Sequence, residues 1–215
     1  MKGKIIDITT GISIDTPVYD GDPVPEVEKV SSIEEDGFVV SRISIGTHTG
    51  THVDAPSHIF KDGISVDAIY PGKLMGKAVL LDLSSGKGHI TADELERHYL
   101  PFVGEDDVSV LLIRTEAGPS SKNPLNSERL LAATAGEWIL EHGFSAIGVD
   151  NLTIDAGSSL PNHHLLLSNE VGIVEYLHLC EVIEGVYYFI CLPLKAMGCD
   201  GAPARAILID DPCFG

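Results

Sequence analysis

Basic residues are scarce in this chain: 14 Lys and Arg stand against 32 Asp and Glu, a formal net charge of −18 over 215 residues. No Lys/Arg cluster exists to neutralise phosphates, which argues against a nucleic-acid partner. The acidity does not choose a substrate, because a bound divalent cation would dominate the field around it. No apolar run reaches the roughly 20 residues of a membrane span, so no membrane partner is expected. Asp7 stands where a secretory signal would need its apolar stretch. Cysteine is sparse as well. Cys180, Cys191, Cys199 and Cys213 form no CxxC pair and read as free thiols of a cytoplasmic protein. No GxGxxG follows an early strand, which disfavours a dinucleotide enzyme, and there are no internal repeats.

What remains is the composition of a folded domain. Hydrophobic residues make up 44% of the chain, enough for one compact domain with a substantial core. Strands are expected over Lys4–Ile8, Phe38–Ile45, Ala78–Leu83, Asp107–Ile113, Ala146–Asp150, Leu165–Leu167, Gly172–Val174, Tyr187–Leu192 and Ala206–Ile209. The segment Asp107–Ile113 is nearly all apolar, as befits a strand covered on both faces. Thr91-Ala92-Asp93-Glu94 is a capping box opening a short helix through Leu100. A longer helix is expected from about Ser127 to His142, with Leu130, Leu131, Thr134, Trp138 and Ile139 inward and Gly143 just past its end. Strands outnumber helices, so the fold class is α/β around a strand-rich mixed sheet in a single domain, residues 1–215.

The richest segment is His48-Thr49-Gly50-Thr51-His52-Val53-Asp54-Ala55-Pro56-Ser57-His58. Imidazole and carboxylate together suit Zn, Mn or Fe. Along one extended strand His48 and His52 would stand about 13 Å apart, too far for one ion. The backbone must therefore turn, and Gly50 makes a turn cheap. Thr49, Thr51 and Ser57 could orient ligands through hydrogen bonds.

Far along the chain, Glu175 closes an apolar run, where an unpaired carboxylate would be costly. A metal ion would hold it; Arg205, Arg114 and Lys195 are alternative ion-pair partners. Of the adjacent His163 and His164, one at most points inward if the backbone is extended, and the spacing alone leaves open which.

Together these residues give the chain a resemblance to the cyclase-like family of metal-dependent hydrolases that includes bacterial kynurenine formamidase. His48 to His58 matches the family's His-x-Gly-Thr-His-x-Asp-x-Pro-x-His string at every defined position. His163, Leu166, Leu167 and Glu175 match its second motif, which selects His163 over His164. Weaker likenesses lie in Thr16–Pro23, where Asp20 replaces the usual proline, in Gly148–Asp155, and in Pro193–Lys195 with Gly201–Ala206.

The resemblance implies a swivelling β/β/α fold. It implies that His48, His52 and Asp54 hold one divalent ion and His163 and Glu175 a second, with Asp54 or Glu175 bridging. Zinc is the first expectation and manganese the second. His58 is the candidate acid/base group, with a role as ligand of the second ion as the alternative. Tyr19 and Phe60 are candidate walls for a planar small-molecule substrate. The implied reaction is hydrolysis of an aryl formamide such as N-formylkynurenine. Ring opening of a lactone or of a cyclic amide such as isatin is the alternative, and a metal-binding protein without turnover is a third reading. The resemblance also implies a homodimer or an assembly built from dimers.

Overall fold

The computed structural model describes residues 3–115, 129–155 and 157–210. The chain opens with β1 (Lys4–Asp7), then makes a hairpin of β2 (Glu26–Lys29) and β3 (Ser41–Ser44) around the short helix α1 (Ile33–Asp36). Strands β4 (His52–Asp54) and β5 (Met75–Asp82) follow, then helix α2 (Ala92–Tyr99), β6 (Val108–Arg114), helix α3 (Ala133–Glu141) and β7 (Ala146–Val149). Helix α4 (Pro161–Ser168) leads into β8 (Gly172–Glu175), and the long strands β9 (Gly185–Pro193) and β10 (Gly201–Asp210) complete the described chain.

Eight strands form one sheet in the order β1-β10-β4-β8-β7-β6-β5-β9, and β9 also pairs with β10. The strands from β10 round to β9 therefore close into a barrel, with β1 attached outside the ring. Pairings β5–β6, β6–β7 and β7–β8 are parallel, while β4 is antiparallel to both β8 and β10. This is the mixed α/β architecture read from the sequence. Alternation along the strands divides the core in two. Ala78, Leu80, Val110, Leu112, Val174, Phe189 and Leu208 pack inside the barrel. Val79, Leu81, Leu111, Ile113, Ile147 and Ile173 face outward and pack with Leu95, Trp138, Ile139 and Leu166 of the helices. The continuous apolar run of β6 thus serves both faces, and each such side chain contributes about 1.5–3 kcal/mol on burial.

Several expected elements need correction. Leu165–Leu167 is helical, not extended: Pro161 sits in the first turn of α4, where its fixed φ and missing N–H suit a helix start. Helix α3 begins at Ala133; Leu130 and Leu131 precede it, and Leu131 instead bridges Ile90. The expected start at Ser127 lies outside the described residues. Gly143 does follow α3 in the left-handed conformation (φ 72°), its N–H donating to Leu140. Only half of the capping box forms. Thr91 Oγ1 accepts from the Glu94 amide, but the Glu94 carboxylate turns to Arg129. The strand expected over Phe38–Ile45 shortens to β3 and, among the described residues, pairs only with β2, away from the main sheet. Cys191 and Cys199 are free thiols; Cys180 Sγ lies 2.9 Å from His178 Nε2, and Cys213 is outside the described residues. No helix among the described residues is long and apolar enough to cross a membrane.

Candidate metal centre

The short strand β4 brings the two halves of the site together. Val53 points into the barrel, so His52 and Asp54, of opposite parity, share the other face. Across the antiparallel β4–β8 pair, His52 stands directly opposite Glu175. A slip of one residue in that register would turn every one of these side chains to the wrong face. Helix α4 then lays His163 over the same face. His163 Nε2 is 3.2 Å from Asp54 Oδ2 and 3.3 Å from Glu175 Oε1, and His52 Nε2 is 3.4 Å from both Asp54 Oδ1 and Glu175 Oε2. All four side chains are buried.

The turn expected at Gly50 is present, with φ 67°; an added Cβ there would come within 2.9 Å of Ile12. It folds His48 back so that Nδ1 lies 2.9 Å from Asp54 Oδ1. His163, in the helix, points inward, whereas His164 faces out against Phe60. The alternative partners of Glu175 are engaged elsewhere or distant: Arg205 pairs with Asp7, Arg114 with Asp82, and Lys195 is exposed. Thr51 fastens the loop by donating to Tyr176 O and accepting from the Thr10 amide, so it braces the backbone more than the ligands.

The donor set fits a cation. Buried polar atoms are nearly always hydrogen-bonded, yet His52 Nε2 and Asp54 Oδ2 are buried without a hydrogen-bond partner. Three overlapping groups, the buried Asp54/His163/Glu175, the largely buried His48/His52/Asp54 and the half-exposed His48/His58/Asp200, place ligand atoms within 4.8 Å of one another. Each imidazole also has its outward nitrogen against an oxygen: His52 Nδ1 to Gly50 O at 2.8 Å, His163 Nδ1 to Asp155 Oδ2 at 2.8 Å, and His48 Nε2 to Asp200 Oδ2 at 3.0 Å. Such outer acceptors set the tautomer and turn the other nitrogen toward an ion.

The imidazoles and carboxylates of the cluster shift one another's pKa values. Burial alone would depress the pKa of His52, but the Asp54 and Glu175 carboxylates outweigh it and push it up to about 10. For His163, burial is likewise overcome by Asp155, Asp54 and Glu175, which raise it to about 12. Burial works against the charge of Asp54 too, yet His163, His48 and His52 hold its carboxyl well below the usual range.

Two residues absent from the sequence reading of the site are essential to its geometry. Leu160, ahead of α4, is left-handed (φ 44°) and offers no side-chain cap. Asp155 fills that role, accepting from the Asn162 and His163 amides as well as from the His163 ring. An acidic residue shortly before Pro161 was the available signal. Asp200, at the approach to β10, lies 3.4 Å from His58 Nδ1 as well as touching His48. His58 itself occupies a 3-10 turn after β4, its ring centroid 4.1 Å from that of His48 and 6.1 Å from that of His163.

A cavity of about 420 Å³ opens onto these groups, lined among others by Tyr19, Asp20, Asp22, Leu152, Leu160 and His58. Tyr19 is therefore a wall of the cavity. Phe60 is not; it packs against the helix-side core.

The chain matches the family model described as putative cyclase over residues 6–156. It is 32% identical over 208 residues to the kynurenine formamidase of Bacillus anthracis, covering 95% of this chain and 97% of that protein. Among solved structures, a predicted metal-dependent hydrolase from Bacillus stearothermophilus superposes with a TM-score of 0.80 at 30% identity, covering 98% of this chain and 100% of that one. Isatin hydrolase A from Labrenzia aggregata shares the fold, with a TM-score of 0.84 at 23% identity over 96% of this chain and 93% of its own. With a matched model over most of its length and relatives that align nearly end to end, this chain belongs to the cyclase family of metal-dependent hydrolases.

Proposed function

We propose that the chain hydrolyses the C–N bond of an aryl formamide, with N-formylkynurenine as the leading substrate. The observation that carries the hydrolytic reading is the pair of orphaned buried ligand atoms, His52 Nε2 and Asp54 Oδ2, beside an open cavity that His52, His163 and Glu175 line. The formamide is supported by the near full-length likeness to a kynurenine formamidase. His48, His52 and Asp54 would hold one divalent ion and Asp54, His163 and Glu175 a second, zinc before manganese. Ions held there would supply Lewis acidity toward a carbonyl and bring a water to near-neutral acidity.

The protein groups do the rest. His58, at the cavity wall and outside both groups centred on Asp54, accepts the proton of the attacking water and delivers it to the departing amine nitrogen. A carbon–oxygen bond forms at the formyl carbon, the carbon–nitrogen bond breaks, and formate and the free aryl amine result. Tyr19, Leu152 and Leu160 offer apolar surface for the aromatic ring. Asp20 and Asp22 line the same cavity, within reach of the ammonium of a zwitterionic amino-acid side arm, which N-formylkynurenine has and isatin lacks.

A panel of N-formylkynurenine, a simple aryl formamide, isatin and an unsaturated lactone tests this choice. The zinc-loaded protein is expected to show its highest kcat/KM on N-formylkynurenine. The double substitution Asp20→Asn, Asp22→Asn should raise KM for that substrate about fivefold, close to 1 kcal/mol, and leave isatin unchanged. A lactone or isatin turned over tenfold faster, about 1.4 kcal/mol in transition-state stabilisation, would refute the formamide assignment.

The same reading includes self-association. Among the described residues, hairpin β2–β3 pairs with no other strand, and a lone two-stranded hairpin is marginal in water. Val27, Ile33, Phe38, Val39 and Ile43 on this arm are all exposed, a concentration of apolar surface that favours a partner. A second copy of the chain is the expected cover, symmetric pairing being the commonest arrangement. Light scattering should give about twice the chain mass of 23.0 kDa. An active species of single-chain mass would overturn it.

A further inference from the structure

Asp200 is a polar residue held by the sheet at the edge of the site. Its backbone carbonyl accepts from the Ala55 amide at 2.9 Å, which ties it to the end of β4. Its Oδ1 accepts from the Thr47 hydroxyl at 3.0 Å. The remaining oxygen, Oδ2, lies 3.0 Å from His48 Nε2 and 3.4 Å from His58 Nδ1. The next residue, Gly201, allows this approach, because a Cβ there would fall 2.9 Å from both His48 Cε1 and Val53 O. One carboxylate thus reaches two histidines that the proposed reaction uses differently.

We infer that Asp200 is a positioning residue that fixes which ring nitrogen of His48 and of His58 carries the proton. An N–H donated to Oδ2 from His48 Nε2 leaves Nδ1, the nitrogen beside Asp54, to face an ion. An N–H donated from His58 Nδ1 leaves Nε2 bare, the state in which an imidazole can accept a proton. The pairing follows the logic by which a buried aspartate orients the histidine of a hydrolytic triad. It also couples the two sites mechanically: a shift of the Asp200 carboxylate would misplace the candidate ligand and the candidate acid/base together.

The inference rests on the hydrolase reading for its kinetic consequence only. The first measurement therefore needs neither metal nor substrate: long-range nitrogen–proton NMR of the His58 ring in the metal-free protein, assigned with H58N. Wild type is expected to carry the proton on Nδ1, and D200A to move it toward Nε2. The second measurement is steady-state kinetics of the zinc-loaded protein on its best panel substrate. D200A should lose between about 10- and 100-fold in kcat with little change in KM, and D200N, which retains an acceptor oxygen, should recover part of the loss. Should D200A fail to fold, D200N carries both readings, its proton position and kcat falling short of wild type. An unchanged His58 proton position, or a kcat within about threefold of wild type in both variants, overturns the assignment. A displaced proton in a protein that hydrolyses nothing on the panel would sink the substrate reading and leave the role of Asp200 standing.

Discussion

Replacing His58 by asparagine is expected to lower turnover about a hundredfold or more while the metal content stays at the wild-type level. The expectation follows from where the side chain lies. His58 lines the cavity, and the group of possible ligands it joins, with His48 and Asp200, is the half-exposed one that lacks Asp54 and Glu175. Removing it should therefore interrupt proton delivery without opening the buried shell around Asp54. Asparagine keeps a polar group of similar reach, so a collapsed cavity is not the expected cause of the loss. Elemental analysis and kinetics on one preparation decide the matter. If one ion disappears along with activity, His58 is a ligand; unchanged turnover would make it part of the scaffold.

The second large effect concerns the ion itself. His52→Ala is expected to abolish stoichiometric metal binding and, with it, activity. Truncation leaves Asp54 and Glu175 facing each other in a buried space with one imidazole fewer between them, and uncompensated buried charge is costly. Full metal retention in H52A would remove His52 from the ligand set. Because metal picked up during purification can mislead, activity after chelation and re-addition accompanies the count.

The wild-type protein adds a pH signature. In the metal-free state His52 and His163 have pKa values raised to about 10 and about 12, so both are protonated at pH 7, and an ion must displace those protons. Calorimetry in buffers of different ionisation enthalpy should find protons released on zinc uptake, and an affinity that falls as pH falls. The same shifts act on stability with a fixed sign. Both folded values exceed the histidine reference of 6.5, so their contribution to the metal-free fold is complete below that pH. It fades as pH rises through about 10 and then about 12.

Much of this centre was legible because its chemistry is local. Between His48 and Asp54 the chain contains three donors and the glycine that folds them together, and a strand that ends in glutamate announces an unusual burden. Helix α4 was misread for a physical reason. His163-His164-Leu165-Leu166-Leu167 has no marked apolar periodicity, because the polar Asn162 and His163 share the buried face with Leu166 and Leu167 while Leu165 lies off it, half-buried. Only Pro161 hinted at its start. Asp155 was hidden by the same error, since its capping role exists only if a helix follows. Asp200 was invisible for another reason: nothing near it in the chain shows that it will meet His48 and His58, which only the pairing of β10 with β4 brings about. The hairpin arm was mistaken for a sheet strand because Phe38, Val39 and Val40 look like core when they are in fact exposed.

That pairing has a kinetic consequence. Strand β4 is three residues long and is bonded on its two sides by β8 and β10, both of which enter much later in the chain. Contacts so distant in sequence carry a large loop-closure cost before they return any stabilisation, and folds dominated by them form slowly. The candidate ligands therefore cannot converge until β8 has docked against β4. During synthesis or refolding an ion would meet only the His48–Asp54 fragment, a partial and weak site. Metal should bind after folding is essentially complete, shifting the unfolding rate far more than the folding rate.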